Sequence, residues 1–274
     1  MIQALTVLLP VAYLLATFLL VLEFLGRERD VGGSDGARRM AIGTAIALHA
    51  ALFLALGSTV GGIPELTGWS QVSALVLTLV LLDLWTARGS RVGVSLVVFT
   101  LASLLQLLAS SFAPMDPSVP ADRPAPFYLF HVFTILVASA ALVLSGVYGL
   151  LYMLLFRQMR ARRFGPLFDS LPSLEELSRF TRRAALAAFV LLLVGINGGI
   201  WWAHYSEVPG FSYADPFVLV MLGLVVHFGV VAFSSRIPGL TARRASIAAT
   251  GGLVLLLASL VVLQLARAGF HTNS

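Results

Sequence analysis

Gly195-Ile196-Asn197-Gly198-Gly199-Ile200-Trp201-Trp202-Ala203-His204-Tyr205, continuing to Tyr213-Ala214-Asp215-Pro216, lies between two long apolar runs near 184–204 and 217–235. A helix needs about 20 mainly apolar residues to cross the hydrocarbon core of a bilayer. The stretch therefore reads as the end of one membrane helix, a short loop and the start of the next. Tryptophan and tyrosine gather where membrane helices meet water, so it belongs at a membrane surface.

Working outward, six further runs of the same kind fall near 2–24, 40–59, 71–87, 93–112, 128–156 and 245–267. The expectation is an all-α, polytopic transmembrane bundle of about eight spans in a single membrane domain, 1–274. Spans one to four would occupy 1–127 and the remaining four 128–274. A composition of 58% hydrophobic and 11% charged residues, with mean hydropathy +0.93, belongs to the membrane class. The first run lacks a basic leader and a small-residue cleavage site, and reads as a retained span rather than a signal peptide.

Charge sets the orientation. All 18 basic residues are arginine, and 16 of them fall in the loops joining spans 1–2, 3–4, 5–6 and 7–8, against Arg123 and Arg267 on the other side. Cytoplasmic loops retain positive charge, so both termini are expected outside, in the cytoplasmic (inner) membrane of a bacterium. The arginines are dispersed among short loops, which argues for a lipid bilayer as partner and against nucleic acid. With no cysteine in the chain, disulfides, thiolate metal sites and covalent haem attachment through a C-x-x-C-H motif are excluded. In the 157–183 loop, Ser173 and Glu176 have capping-box spacing and are expected to start a short amphipathic surface helix feeding span 6.

Five histidines sort by depth. His49 is nine residues into span 2 and His227 ten residues into span 7 from the opposite side, so both lie roughly 14 Å deep at 1.5 Å per residue. His131 opens span 5, His271 follows span 8, and His204 lies in the outer loop, which makes a second level at the outer surface. An ionisable side chain in mid-membrane usually faces the bundle interior and marks a functional path, although each could instead bond a neighbouring helix as packing glue. Zinc is an alternative ligand, but Glu23 and Asp83, the nearest deep carboxylates, fall close to the inner ends of their spans and leave its shell incomplete. Haem b needs two axial imidazoles and an apolar slot, and fits the histidine pairs better.

With these residues in view, the chain resembles the CcsA/ResC-type cytochrome c assembly family of haem-handling membrane proteins. The likeness rests on Phe130-His131-Val132, Val226-His227-Phe228, Gly269-Phe270-His271 and the tryptophan-containing stretch, with His49 in the place of the first membrane histidine; Gly62-Ile63-Pro64-Glu65-Leu66 is similar to the outer loop that follows it. The run is less dense in tryptophan than the family's, with Tyr213 where a tryptophan is usual and Phe217-Val218 in place of Lys-Glu. The resemblance implies haem binding, export and presentation for cytochrome c-type biogenesis. His49 and His227 would be axial ligands in the membrane, and His131 and His271 axial ligands outside. Asn197, Trp201, Trp202 and Tyr213 would pack the macrocycle, and Asp215 would orient a ligand or the loop. It further implies a ResB/CcsB-like membrane partner, apocytochrome c and a thioredoxin-like reductant, the chain being at most the haem-delivering subunit of a haem-lyase complex. The alternatives are a HemX-like or respiratory-complex anchor subunit, and a transmembrane electron carrier with bis-histidine haems.

Overall fold

The computed structural model describes residues 1–26, 35–60, 66, 68–86, 92–112, 126–162, 165–205 and 212–266, and among these there are helices and no strands. In chain order they are α1 Ile2–Gly26, α2 Asp35–Val60, α3 Trp69–Thr86, α4 Val92–Phe112, α5 Pro126–Arg160, α6 Pro166–Ser170, α7 Leu174–Tyr205, α8 Pro216–Ala232 and α9 Ala242–Ala266. Seven are long and apolar enough to cross a membrane, and the apolar part of α8, Val218–Ala232, is shorter. This is a multi-pass helical membrane protein. Large apolar side chains such as Val7, Leu54, Phe133 and Val226 are more than half exposed, as expected where lipid is the solvent.

The chain divides into two compact units, one of residues 1–124 and 163–171, the other of 125–162 and 172–274. In the first, α1 packs on α2 and α4, and α3 on α4. Its core is apolar, with Tyr13, Leu20, Leu79 and Phe99 almost wholly buried, and is crossed by hydroxyl groups: Thr17 Oγ1 lies 2.8 Å from Ser103 Oγ and 3.1 Å from the Phe99 carbonyl. Hydroxyls in an apolar bundle join helices because their alternative is an unsatisfied polar group.

In the second unit α5 packs along α7 and α9, and α8 lies against α7 and α9. Small residues permit the close approach: a Cβ on Gly149 would stand 2.6 Å from the Ser246 carbonyl oxygen, so α5 and α9 meet backbone to backbone there. Two boundaries differ from the expectation. The helix beginning at the Ser173–Glu176 capping box runs unbroken from Leu174 to Tyr205, so the amphipathic segment is the first part of span 6 and not a separate surface helix. Glu176 Oε2 accepts from the Ser173 backbone N–H at 2.9 Å, and Ser173 Oγ accepts from the Glu176 N–H at 3.3 Å. The box satisfies amides at the start of the helix, and no turn signal intervenes before Tyr205. His204 consequently sits in the last turn of α7 rather than in a loop. At the other end of α8 a short 3₁₀ turn, Ser234–Arg236, leads into Pro238-Gly239, where φ of +78° at Gly239 suits glycine.

Candidate functional site

His131 is the sixth residue of α5, and α7 offers it a flat berth. Its Nδ1–H donates to the carbonyl of Gly195 at 2.6 Å. One turn along, a Cβ on Gly199 would overlap the imidazole, standing 2.5 Å from Nδ1, and a Cβ on Gly195 would meet Ile135 Cδ1 at 2.8 Å. The Gly195-x-x-x-Gly199 spacing thus makes a bare stripe against which the ring and Ile135 lie. Bonding Nδ1–H to a backbone carbonyl fixes the tautomer and leaves Nε2 with its lone pair, the arrangement that supports a metal-ligating imidazole.

Around it the aromatic residues of α5 and α7 interlock. Phe127 meets Trp201 edge-on with centroids 4.4 Å apart, Tyr128 meets Trp202 at 5.0 Å, and Trp201 stacks on Tyr205 at 5.5 Å. The two tryptophans face different ways. At 3.6 residues per turn, Asn197 and Trp201 lie about 200° and 240° round α7 from Gly195, whereas Trp202 lies only about 20° from it. Asn197 and Trp201 are accordingly exposed, and Asn197 Nδ2 donates back to the Leu193 carbonyl at 2.7 Å. Trp202 is the tryptophan on the His131 side. Tyr213 is exposed in the turn before α8, while Asp215 is buried and its carbonyl accepts from Leu219 N–H in the first turn of α8, with Pro216 opening the helix. His204 is exposed, and His271 lies outside the described residues.

His227 is the twelfth residue of α8 and is partly buried. Its Nε2–H donates to the Ala248 carbonyl of α9 at 2.8 Å, which leaves Nδ1 as the acceptor nitrogen. Gly252 makes the room: a Cβ there would lie 2.8 Å from His227 Cδ2 and 2.5 Å from Phe228 Cε2.

His49, in the first unit, is wholly buried and both of its nitrogens are engaged. Tyr13 Oη lies 2.9 Å from Nδ1, Ser73 Oγ lies 3.0 Å from Nε2, Ser73 Oγ donates to Gln106 Oε1 at 3.1 Å, and Gln106 Nε2 donates to Ser110 Oγ at 3.1 Å. A hydroxyl carries one proton, and that of Ser73 is directed to Gln106. Nε2 of His49 is therefore the donor to Ser73, and Nδ1 accepts from Tyr13. Four helices, α1 to α4, each contribute to this chain. Phe53 stacks on the imidazole with centroids 5.3 Å apart.

Sequence reasoning missed Tyr13, Ser73 and Gln106, whose signal is a polar atom in each of three apolar runs, and missed Gly195 and Gly199 as a berth. Glu23 is paired with Arg38 at 2.9 Å and Asp83 is buried in α3; among the described residues no three His, Asp or Glu side chains gather as a metal shell. His49 belongs to the first unit, His131 and His227 to the second.

A family model of cytochrome C assembly proteins matches residues 5–271, nearly the whole chain. The chain belongs to this family, a membership that supports a role in cytochrome c maturation. Among similar proteins is Protein HemX of Brevibacillus brevis, 27% identical over 210 residues, which are 75% of either chain.

Proposed function

We propose that this protein handles haem b in cytochrome c maturation, with His49 of the first unit and His227 of the second as ligands within the membrane and His131 and His271 as ligands on the outer side. The observation that carries this is His131, whose Nδ1–H is committed to Gly195 and whose Nε2 is left for iron. His227 keeps Nδ1 for the same purpose. His49 ligates through Nε2 only when Ser73 releases it and its proton moves to Nδ1, facing Tyr13. Trp202 packs the macrocycle beside His131, and Trp201, Asn197 and Tyr213 face outward at the same end, where a ResB/CcsB-like subunit and the apocytochrome would meet the chain. Asp215 anchors the turn between α7 and α8. Haem is the cargo, and thioether formation on the apocytochrome draws on a thioredoxin-like reductant, because this chain has no thiol of its own. The bacterial inner membrane, with both termini outside, is the location that the arginine distribution supports.

A HemX-like subunit role is the second reading, favoured by the Brevibacillus brevis relative. Deleting the gene and staining membranes for covalently bound haem separates the two. Loss of c-type cytochromes that wild type restores and His131→Ala does not is the result expected of the first. Unchanged c-type cytochromes with altered total haem would support the second.

A further inference from the structure

Where α2 begins, the first unit has a cavity of about 640 Å³. Arg38 and Arg39 stand on its wall, with Ile42, Gly43, Ile46 and Phe99 among its apolar lining. A volume of this size suits a small organic ligand. The contributions of α2 follow one side of the helix, and that side leads to the buried histidine. At 100° per residue, Arg38 and Ile42 each lie within about 20° of His49 round the helix, and Arg38 is about 16 Å from it along the axis. Ile46, the deepest α2 residue of the wall, is one turn from His49. The α2 wall of the cavity thus runs from guanidinium groups to apolar side chains and ends about one turn short of His49.

This order of surfaces selects a flat, apolar molecule with carboxylates on one edge. Guanidinium groups match carboxylates in plane and in donor spacing. Glu23 takes Nη1 of Arg38, one of the two guanidinium groups on the cavity wall. We propose that this cavity is a receiving site for a dicarboxylic porphyrin, with Arg38 and Arg39 holding the two propionates while the macrocycle lies against Ile42, Gly43, Ile46 and Phe99. The choice of occupant rests on the haem-handling reading above. The site itself uses no axial ligand, and this makes the two separable.

The test uses the full-length protein in detergent and a metal-free probe, protoporphyrin IX, compared with its dimethyl ester, which keeps the ring and lacks the charges. Binding is read by porphyrin absorbance and tryptophan quenching. Wild type should bind the diacid about ten- to a hundredfold more tightly than the ester, the worth of one or two charge-assisted bonds. Arg38→Gln with Arg39→Gln should bring the two to parity. Arg38 also pairs with Glu23, so a second variant guards against misfolding: a Cβ at Gly43 meets nothing within 4 Å, and Gly43→Leu should fold, fill the cavity and weaken diacid and ester together. Equal binding of diacid and ester by wild type, or tight binding that survives both Gly43→Leu and the double arginine variant, would overturn the proposal. So would phosphatidylglycerol occupying the cavity while protoporphyrin fails to bind. Arginine-dependent diacid binding by a protein that copurifies without haem would sustain this site and refute the two-histidine ligation instead.

Discussion

His131 donates its Nδ1–H to the carbonyl of Gly195 at 2.6 Å, a side chain of α5 gripped by the backbone of α7. A helical carbonyl normally accepts from the amide four residues on. Here it also orients an imidazole, and the bare face one turn along lets the ring lie close enough to be held. The bond couples the packing of two helices to the direction in which a candidate ligand points.

Substitution along that stripe should discriminate sharply between adjacent glycines. A Cβ at Gly199 would overlap the His131 ring, whereas one at Gly198 would meet Phe130 Cδ1 at an ordinary 3.6 Å. Gly199→Ala is expected to cost about 1–3 kcal/mol of overpacking and to alter the haem spectrum. Gly198→Ala should leave both unchanged. Thermal unfolding in detergent with absorbance spectra on the same samples checks the pair.

The buried chain Tyr13, His49, Ser73, Gln106 makes its own prediction. Tyr13→Phe removes the donor to Nδ1 and leaves a buried acceptor without its partner, which costs about 1–3 kcal/mol. Because the two groups touch, Tyr13→Phe and His49→Leu should not add: a double-mutant cycle should show a coupling of about 0.5–3 kcal/mol. Additive effects would separate Tyr13 from His49 energetically.

At the start of α7, Ser173→Ala should lower stability by about 0.5–2 kcal/mol, since Ser173 Oγ caps the Glu176 amide at 3.3 Å. Glu176→Ala removes the carboxylate that accepts from the residue-173 backbone N–H, an amide that Ser173→Ala leaves in place, so it should lower stability further in the double variant. Unfolding midpoints of the two single variants and the double variant test this.

Orientation is open to direct labelling because the chain has no native cysteine. Tyr213 and Ser235 are both exposed, at opposite ends of α8. With an impermeant maleimide on intact spheroplasts, Tyr213→Cys should react and Ser235→Cys should react only after lysis. The reverse pattern would invert the topology.

The helices themselves were legible because lipid imposes a simple rule: each apolar run of membrane length must close its own hydrogen bonds. Arg88 to Arg91 and Ala113 to Phe127 separate runs clearly, and α3, α4 and α5 fall where those breaks put them. The extent of α7 was harder to read. Ser173 and Glu176 do signal a helix start, but the polar residues Ser178, Arg179, Thr181, Arg182 and Arg183 before the apolar run do not distinguish one helix from two. The place of His131 at the opening of a long helix was legible. Its berth was not, since Gly195 and Gly199 acquire meaning only when α5 is known to lie on that face. Tyr13, Ser73 and Gln106 are isolated polar residues in separate runs, and only the three-dimensional packing of α1 to α4 joins them to His49. Trp201 and Trp202 look equivalent in sequence, yet Trp201 is exposed beside Phe127 whereas Trp202 is partly buried against Tyr128.

The most direct test of the haem-handling account is the haem content of the purified protein, by pyridine haemochrome and reduced-minus-oxidised spectra, for wild type and for His49→Ala, His131→Ala, His227→Ala and His271→Ala. The account predicts haem b in wild type, a fall in content with either membrane histidine, and a changed spectrum with either outer one. A colourless wild-type protein from haem-replete cells, or equal haem in all five preparations, would contradict it.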